Sequence, residues 1–279
     1  MDLTSVTSYR RARSRRDLRL APGETLLAGG TWLMSEPQPH TTGFVDLTTM
    51  GWPALEVAAD GLRIGATCTI AHLVAWAEGR GEVSVPHAWA AASVIPDAAK
   101  ALLASFKIWN TATVGGNVCR SFAAGAMISL AVALDGTAEV WPPGGGSRTI
   151  AVADLVTGNG ENALAPGEVL RAIDLPARAL RSRVLLRKIA LAEHGRSGAV
   201  VTGRIDDDGG CVFTVTAATV RPAVFRFAEV PDAAALAAAV HDTPGYYSDP
   251  LGSADWRRGV SAVLARRIRD ELVRQERAA

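Results

Sequence analysis

Asn110-Thr111-Ala112-Thr113-Val114-Gly115-Gly116-Asn117 joins small and hydroxyl-bearing residues to a glycine pair. Such a pair lets the main chain turn sharply, take φ > 0 and approach a ligand closely. Far upstream, Leu26-Leu27-Ala28-Gly29-Gly30-Thr31 repeats the arrangement after an apolar stretch. Successive backbone N–H groups in such turns form a concave nest for an anion. Two nests from distant segments, closing on one pyrophosphate, would make a dinucleotide site. Taken singly, glycine pairs are ordinary structural turns more often than ligand contacts.

The chain has 279 residues, 48% of them hydrophobic, enough for two domains or one large one. A net charge of +1 gives no particular attraction to nucleic acid or to an acidic membrane. The longest apolar run, Ala123 to Leu134, is too short and too glycine-broken to span a bilayer. Arg10-Arg11 and Arg15-Arg16 are followed by no apolar run, so no secretory or twin-arginine signal is expected and the expected location is the cytoplasm. Cys68, Cys119 and Cys211 are isolated, with no C-x-x-C, which supports neither zinc nor an iron–sulfur cluster and suits reduced thiols. His40, His72, His87, His194 and His241 form no ligand-like pair, so no metal residue is expected.

Outward from the glycine turns, apolar patterning places short strands at Leu26–Ala28, Phe44–Leu47 and Leu62–Ala66. The arginine-rich first twenty residues fit a strand and a short amphipathic helix. Thr69 is a plausible N-cap for a helix over Ile70–Ala77. Ala88 to Leu103 reads as helical, broken at Pro96. One helix is expected to begin after the second glycine turn and end at Ala131–Leu134. Strands at Ala138–Trp141 and Val169–Leu175 follow the turn signals of their neighbourhoods. Beyond Pro176, Ala199–Ile205 and Cys211–Val220 flank the turn Asp206-Asp207-Asp208-Gly209-Gly210 and read as a hairpin. The last helix, about Asp255 to Arg274, carries Trp256, Val260, Val263, Leu264, Ile268 and Leu272 as a core-facing stripe. A domain boundary is placed near residue 178.

Neither glycine pair completes the Rossmann G-x-G-x-x-G, and no P-loop occurs. In context, however, Ala28-Gly29-Gly30-Thr31-Trp32-Leu33 and Thr111-Ala112-Thr113-Val114-Gly115-Gly116-Asn117 resemble the two pyrophosphate loops of the FAD-binding (medium) subunits of molybdenum hydroxylases, the xanthine dehydrogenase and carbon monoxide dehydrogenase family. Val45-Asp46-Leu47, Leu62–Ala66, Pro166–Leu170, Asp255–Arg258 and Leu264–Arg267 extend the likeness over nearly the whole chain.

The resemblance implies an α+β fold: a two-subdomain FAD-binding domain of the vanillyl-alcohol oxidase (PCMH) type over residues 1–177, with subdomains of about 1–55 and 56–177, and a small C-terminal α/β domain over 178–279. It implies that Leu27, Ala28, Gly29, Gly30, Thr31 and Trp32 line the first loop, and Thr113, Val114, Gly115, Gly116 and Asn117 the second. Backbone N–H groups would hold the diphosphate, with the Thr31 and Thr113 hydroxyls adding bonds. Leu170 aligns with an apolar residue near the flavin. Lys188 aligns with a lysine beside the isoalloxazine, where a cation would favour the reduced, anionic ring; the alternative is a solvated lysine beside an arginine cluster.

The family usually shows a Ser-Pro pair after the second loop and an Asp a few residues on, the Asp bonding the cofactor. Here Phe122 replaces the Pro and Ala126 the Asp, which leaves Ser121 or a water to compensate. The arginine runs at Arg10–Arg19 and Arg257–Arg269 read as solvated helix faces, or else as docking surfaces for a partner. The implied function is electron transfer, from [2Fe–2S] clusters in a small partner subunit through FAD to an acceptor such as NAD or oxygen, while a large partner subunit holds the molybdenum–pterin cofactor. No catalytic acid, base or nucleophile is expected in this chain. The alternatives are a freestanding flavin oxidoreductase and a structural subunit that has lost FAD.

Overall fold

The computed structural model describes residues 3–193 and 195–278, so His194 lies outside the described residues. The chain opens with β1 (Ser8–Arg11), β2 (Glu24–Leu27) and β3 (Gly43–Asp46), followed by the hairpin of β4 (Leu55–Ala58) and β5 (Gly61–Gly65). Five helices come next: α1 (Ile70–Ala77), α2 (Val94–Lys100), α3 (Phe106–Trp109), α4 (Val114–Arg120) and α5 (Ala126–Ala133). Then come β6 (Thr137–Trp141), β7 (Arg148–Ala151), α6 (Val152–Leu155), β8 (Val156–Gly158), β9 (Glu161–Asn162), β10 (Val169–Pro176) and α7 (Ala177–Arg181). The rest is β11 (Arg183–Ile189), β12 (Ala199–Ile205), β13 (Cys211–Thr216), β14 (Ala223–Phe227), α8 (Ala233–Asp242) and α9 (Ala254–Ala278).

The strands form a parallel three-stranded sheet in the order β1-β3-β2, an antiparallel five-stranded sheet β4-β5-β10-β6-β7, and an antiparallel four-stranded sheet β11-β12-β13-β14, with β8 and β9 as a small pair. In the five-stranded sheet Leu62, Ile64, Val140, Ile173 and Leu175 meet α1, α2 and α5 in the largest apolar cluster. In the four-stranded sheet Val201, Phe213 and Val215 pack against Leu236 of α8 and Leu264, Ile268 and Leu272 of α9. Every residue of α5 is buried, as a helix apolar on all sides must be. It lies between the two antiparallel sheets, and Ser129 on it shares a 2.6 Å hydrogen bond with Thr216 of β13.

Several local expectations give way to tertiary structure. After the expected strand, β1, the expected amphipathic helix is only a 3-10 turn, Arg15–Leu18, because Asp17 accepts the backbone N–H groups of Arg13 and Ser14 and tightens the chain. Pro96 does not break α2: it occupies the third position, where an N–H has no acceptor within the helix. The single helix expected after the second glycine pair is two, α4 and α5, separated where Ser121 enters the left-handed region at φ 53°. Thr69 caps α1 as its position suggests, accepting from the His72 N–H at 3.2 Å.

On α9, Val263 is 45% exposed and leaves the expected core stripe. Arg257, counted with the solvated arginines, is fully buried. Its guanidinium bonds Asp249 and the carbonyls of Gly198, Ala217 and Gly252, and lies over the Tyr247 ring. It ties α9 to the ends of β12 and β13 from the inside.

Candidate functional site

The first glycine turn starts where β2 ends. After Leu27 the chain bends through Ala28 and Gly29, and Gly30 takes φ 66°, a left-handed conformation that favours glycine. Gly29 needs to be glycine for a different reason. A Cβ there would lie 2.0 Å from the carbonyl oxygen of Thr111 and 3.0 Å from Cα of Ala112. The two glycine loops, more than eighty residues apart in sequence, therefore touch backbone to backbone. Among the described residues, the N–H groups of Gly29, Gly30, Thr31, Trp32 and Leu33 donate to no protein acceptor. That is the open nest the turn chemistry leads one to expect.

The second loop is built differently. The Val114 N–H donates to Cys68 O at 2.8 Å and that of Gly115 to Ala66 O at 3.0 Å, holding α4 against the end of β5. Thr113 caps α4, its hydroxyl accepting from the Gly116 N–H at 3.1 Å, and its carbonyl takes the Asn117 N–H at 2.9 Å. The second loop thus spends the N–H groups of Val114, Gly115, Gly116 and Asn117 on the fold, while that of Thr113 has no protein acceptor among the described residues. The glycines divide the work: a Cβ on Gly115 would meet Ala66 at 2.6–2.7 Å, whereas one on Gly116 would meet only the Thr113 hydroxyl, at 2.8 Å. Asn117 Oδ1 accepts from the Met127 N–H at 3.0 Å, bracing the start of α5, and its Nδ2 keeps its donors unpaired within the protein.

Between the loops runs a cleft of about 730 Å³, within the range of small-molecule and cofactor sites. It gathers Ala28, Gly29, Gly30, Thr31, Trp32, Thr113, Gly115, Gly116, Asn117 and Leu170 from the expected set. Leu170 lies on β10, 3% exposed, and with Ala66, Leu102 and Ile108 it gives the cleft an apolar wall. Three expected residues are not among its lining. Leu27 packs beneath Gly30, and Val114 is 2% exposed in the core. Lys188 is exposed on β11, and its Nζ donates to Lys100 O at 2.9 Å, covering the last carbonyls of α2.

The suggested replacement for the missing acidic residue also fails. Ser121 is fully buried and its hydroxyl donates to Val118 O at 2.8 Å, while Ala126 is buried in the core.

The cleft instead contains two arginines the sequence did not single out as ligand contacts. Arg120, at the end of α4, has its guanidinium carbon 3.8 Å from the Trp32 ring centroid and 4.0 Å from that of Phe122. Arg196, on the loop between β11 and β12, lies 5.8 Å from the Phe122 ring. Spacing on α4 was the available signal for Arg120, since Thr113, Asn117 and Arg120 share one helical face. Burial lowers the Arg120 pKa, partly offset by the charge of Glu36. Glu168 at the rim is held down to about 2 by the hydrogen bonds of Arg148, and burial pushes the Cys119 thiol up to about 12. Cys119 is therefore an inert thiol rather than a nucleophile. Among the described residues no cluster of His, Cys, Asp and Glu could hold a metal ion. No described helix is long and apolar enough to cross a membrane.

Comparison with known proteins agrees with this geometry. The family described as the FAD binding domain in molybdopterin dehydrogenase matches residues 7–178, more than half of the chain. No match was found among curated proteins. Among solved structures, quinoline 2-oxidoreductase from Pseudomonas putida 86 has a similar fold, with a TM-score of 0.79 and 20% identity over 96% of this chain and 97% of that one. A reconstituted CO dehydrogenase from Oligotropha carboxidovorans gives 0.79 and 21% over the same shares. CO dehydrogenase from Hydrogenophaga pseudoflava, in a form lacking the Mo-pyranopterin moiety, gives 0.76 and 19% over 94% and 95%.

Proposed function

Because the chain belongs to the family of FAD-binding domains of molybdopterin dehydrogenases, we propose that it is the FAD-carrying, electron-transferring subunit of a molybdenum hydroxylase assembly of the xanthine dehydrogenase type. The observation that supports this reading most strongly is the first glycine loop, whose N–H groups lack protein acceptors and face a cleft of cofactor size. The residues fit the cofactor: an anion-binding nest at one side, an apolar wall with Leu170 at another.

Gly29, Gly30, Thr31 and Trp32 would hold the diphosphate through backbone N–H groups. Thr113 and Asn117 would add a hydroxyl and an amide from α4, and Leu170 would pack beside the flavin. Bound FAD supplies the redox chemistry, accepting electrons and passing them to an acceptor such as NAD or oxygen. The chain's own residues bind, orient and shield; none acts as general acid, base or nucleophile. The FAD-binding part would comprise subdomains of about 1–55 and 56–177, which accords with the change from the parallel to the antiparallel sheet. Residues 178–279 would form the C-terminal domain.

The molybdenum–pterin centre would belong to a large partner subunit and the [2Fe–2S] clusters to a small one, since this chain has neither the cysteine pattern nor, among the described residues, a metal-binding cluster. The test is purification of the tagged chain from its natural host. Two further chains carrying molybdenum and iron are expected with it. A chain that comes alone, carries flavin and is reduced directly by a small substrate would favour the freestanding oxidoreductase.

A further inference from the structure

Two arginines are fully buried among the described residues, and both are paired, whereas Arg120 is half-buried. Arg204 meets Asp135 and Asp206 at 2.6 Å, and Arg257 meets Asp249. The guanidinium of Arg120 has no carboxylate within salt-bridge distance among the described residues, and its Nε is buried without any hydrogen-bond partner. Arg171, stacked over Trp52, also carries a buried nitrogen without a partner, but it is not part of the cleft lining. Arg120 does face a cavity, and it is fixed there. Trp32 from the first loop and Phe122 just beyond α4 set their ring centroids 3.8 and 4.0 Å from its guanidinium carbon, the two rings lying at 71° to each other. Arg196 reaches the same cleft and forms no ion pair among the described residues.

A guanidinium packed against two rings has less rotamer freedom left to lose when a ligand arrives, and its planar fork suits a phosphate oxyanion. A charge in a partly desolvated wall also acts more strongly than one in water. The second glycine loop has meanwhile committed its N–H groups to Cys68, Ala66 and Thr113. The nest of the first loop offers dipoles but no net charge, while a diphosphate brings two negative charges. We propose that Arg120, with Arg196 at the rim, is a diphosphate-binding residue of this cleft and supplies the countercharge that the second loop's backbone does not. The proposal rests on the reading of the cleft as an FAD site.

The test titrates the full chain, freed of any flavin, with inorganic pyrophosphate, ADP, FAD and riboflavin. Arg120→Met keeps an unbranched side chain beside the two rings without the charge. It is expected to weaken FAD, ADP and pyrophosphate about 10- to 100-fold, the range for losing a charge-assisted hydrogen bond. Riboflavin binding should stay within about twofold, because riboflavin carries no phosphate. Arg196→Met should lose less. Wild-type affinity for FAD and pyrophosphate in Arg120→Met overturns the proposal, and so does an equal loss of riboflavin.

If Arg120→Met does not fold, the salt dependence of FAD binding to the wild type decides. Affinity that falls with salt supports the countercharge, and affinity flat between about 50 mM and 500 mM overturns it. Wild type that binds pyrophosphate through Arg120 but binds no FAD refutes the flavin reading and leaves the anion site standing.

Discussion

Replacing Gly29 by alanine adds one methyl group at the point where the two loops touch. Its Cβ would lie 2.0 Å from the Thr111 carbonyl oxygen, 2.8 Å from the carbonyl carbon and 3.0 Å from Ala112 Cα. All three neighbours are backbone, so no side-chain rotation relieves the clash. Since real Cβ contacts stay beyond 3.0 Å, the loops must part by about 1 Å (3.0 − 2.0). Loops that hold would store about 1–3 kcal/mol of overpacking strain, a fall in Tm of roughly 2–12 °C for a chain of this size. Loops that part would carry the nest about 1 Å away from Thr113 and Asn117, and losing one charge-assisted hydrogen bond costs about 1.5–3 kcal/mol.

Gly29→Ala should therefore raise the FAD dissociation constant about 10- to 100-fold. The assay is fluorescence titration of the flavin-free protein with FAD, with thermal melts alongside. Gly144→Ala is the control, because a Cβ there meets nothing within 4 Å. The reasoning fails if Gly29→Ala binds FAD and melts like Gly144→Ala.

Three further outcomes are expected. Gly115→Ala should lower Tm, because its Cβ would press on Ala66 at 2.6–2.7 Å, whereas Gly116→Ala should leave Tm nearly unchanged and weaken FAD; equal behaviour in both assays would contradict the division between these glycines. Asp135 sits at φ 51° and bonds Arg178, Arg204 and Arg226 at 2.6 Å each, so Asp135→Asn, which tolerates that backbone, should cost about 3 kcal/mol, or roughly 6–12 °C in Tm. A melt within about 2 °C of wild type would show that the network does not hold α5 to the four-stranded sheet. Acid should destabilise the protein: Arg10 holds Glu24 at about 2 and Arg148 holds Glu168 at about 2, while for Asp135 the hydrogen bonds of Arg226, Arg204 and Arg178 outweigh burial and keep the carboxyl low. Depressed carboxylates contribute fully above their ordinary pKa and lose that contribution as protons bind, so Tm should fall from about pH 4.5 towards pH 2; a flat Tm over that window would refute it.

What could be read from the sequence follows from how local each cause is. β5 declares itself through the alternation Leu62-Arg63-Ile64, β10 through the turn before it and Pro176 at its end, and Thr69 declares α1 because a hydroxyl before an apolar run caps a helix. The break between α4 and α5 does not, since a serine at φ 53° carries no local mark of it. β11 hides in an arginine-rich stretch, Arg183–Ile189, whose strand character depends on pairing with β12. The first loop was legible as a nest, because glycine chemistry is local. The closure of the second loop was not, because its acceptors, Ala66 and Cys68, come from another segment. Arg257 was read with the charged helix face, and charge points to the surface until a fold brings Asp249 to it, while Arg120 drew no reading because only the fold brings Trp32 and Phe122 to its guanidinium. Lys188 shows the converse: alignment placed it by the flavin, while the structure gives its ammonium the Lys100 carbonyl.

The ratio of FAD to polypeptide in the natively purified protein bears most directly on the account. It predicts one FAD per chain, released on denaturation and giving the flavin absorbance near about 450 nm. A colourless protein that takes up no FAD on reconstitution would contradict it and leave the two glycine loops as structural turns.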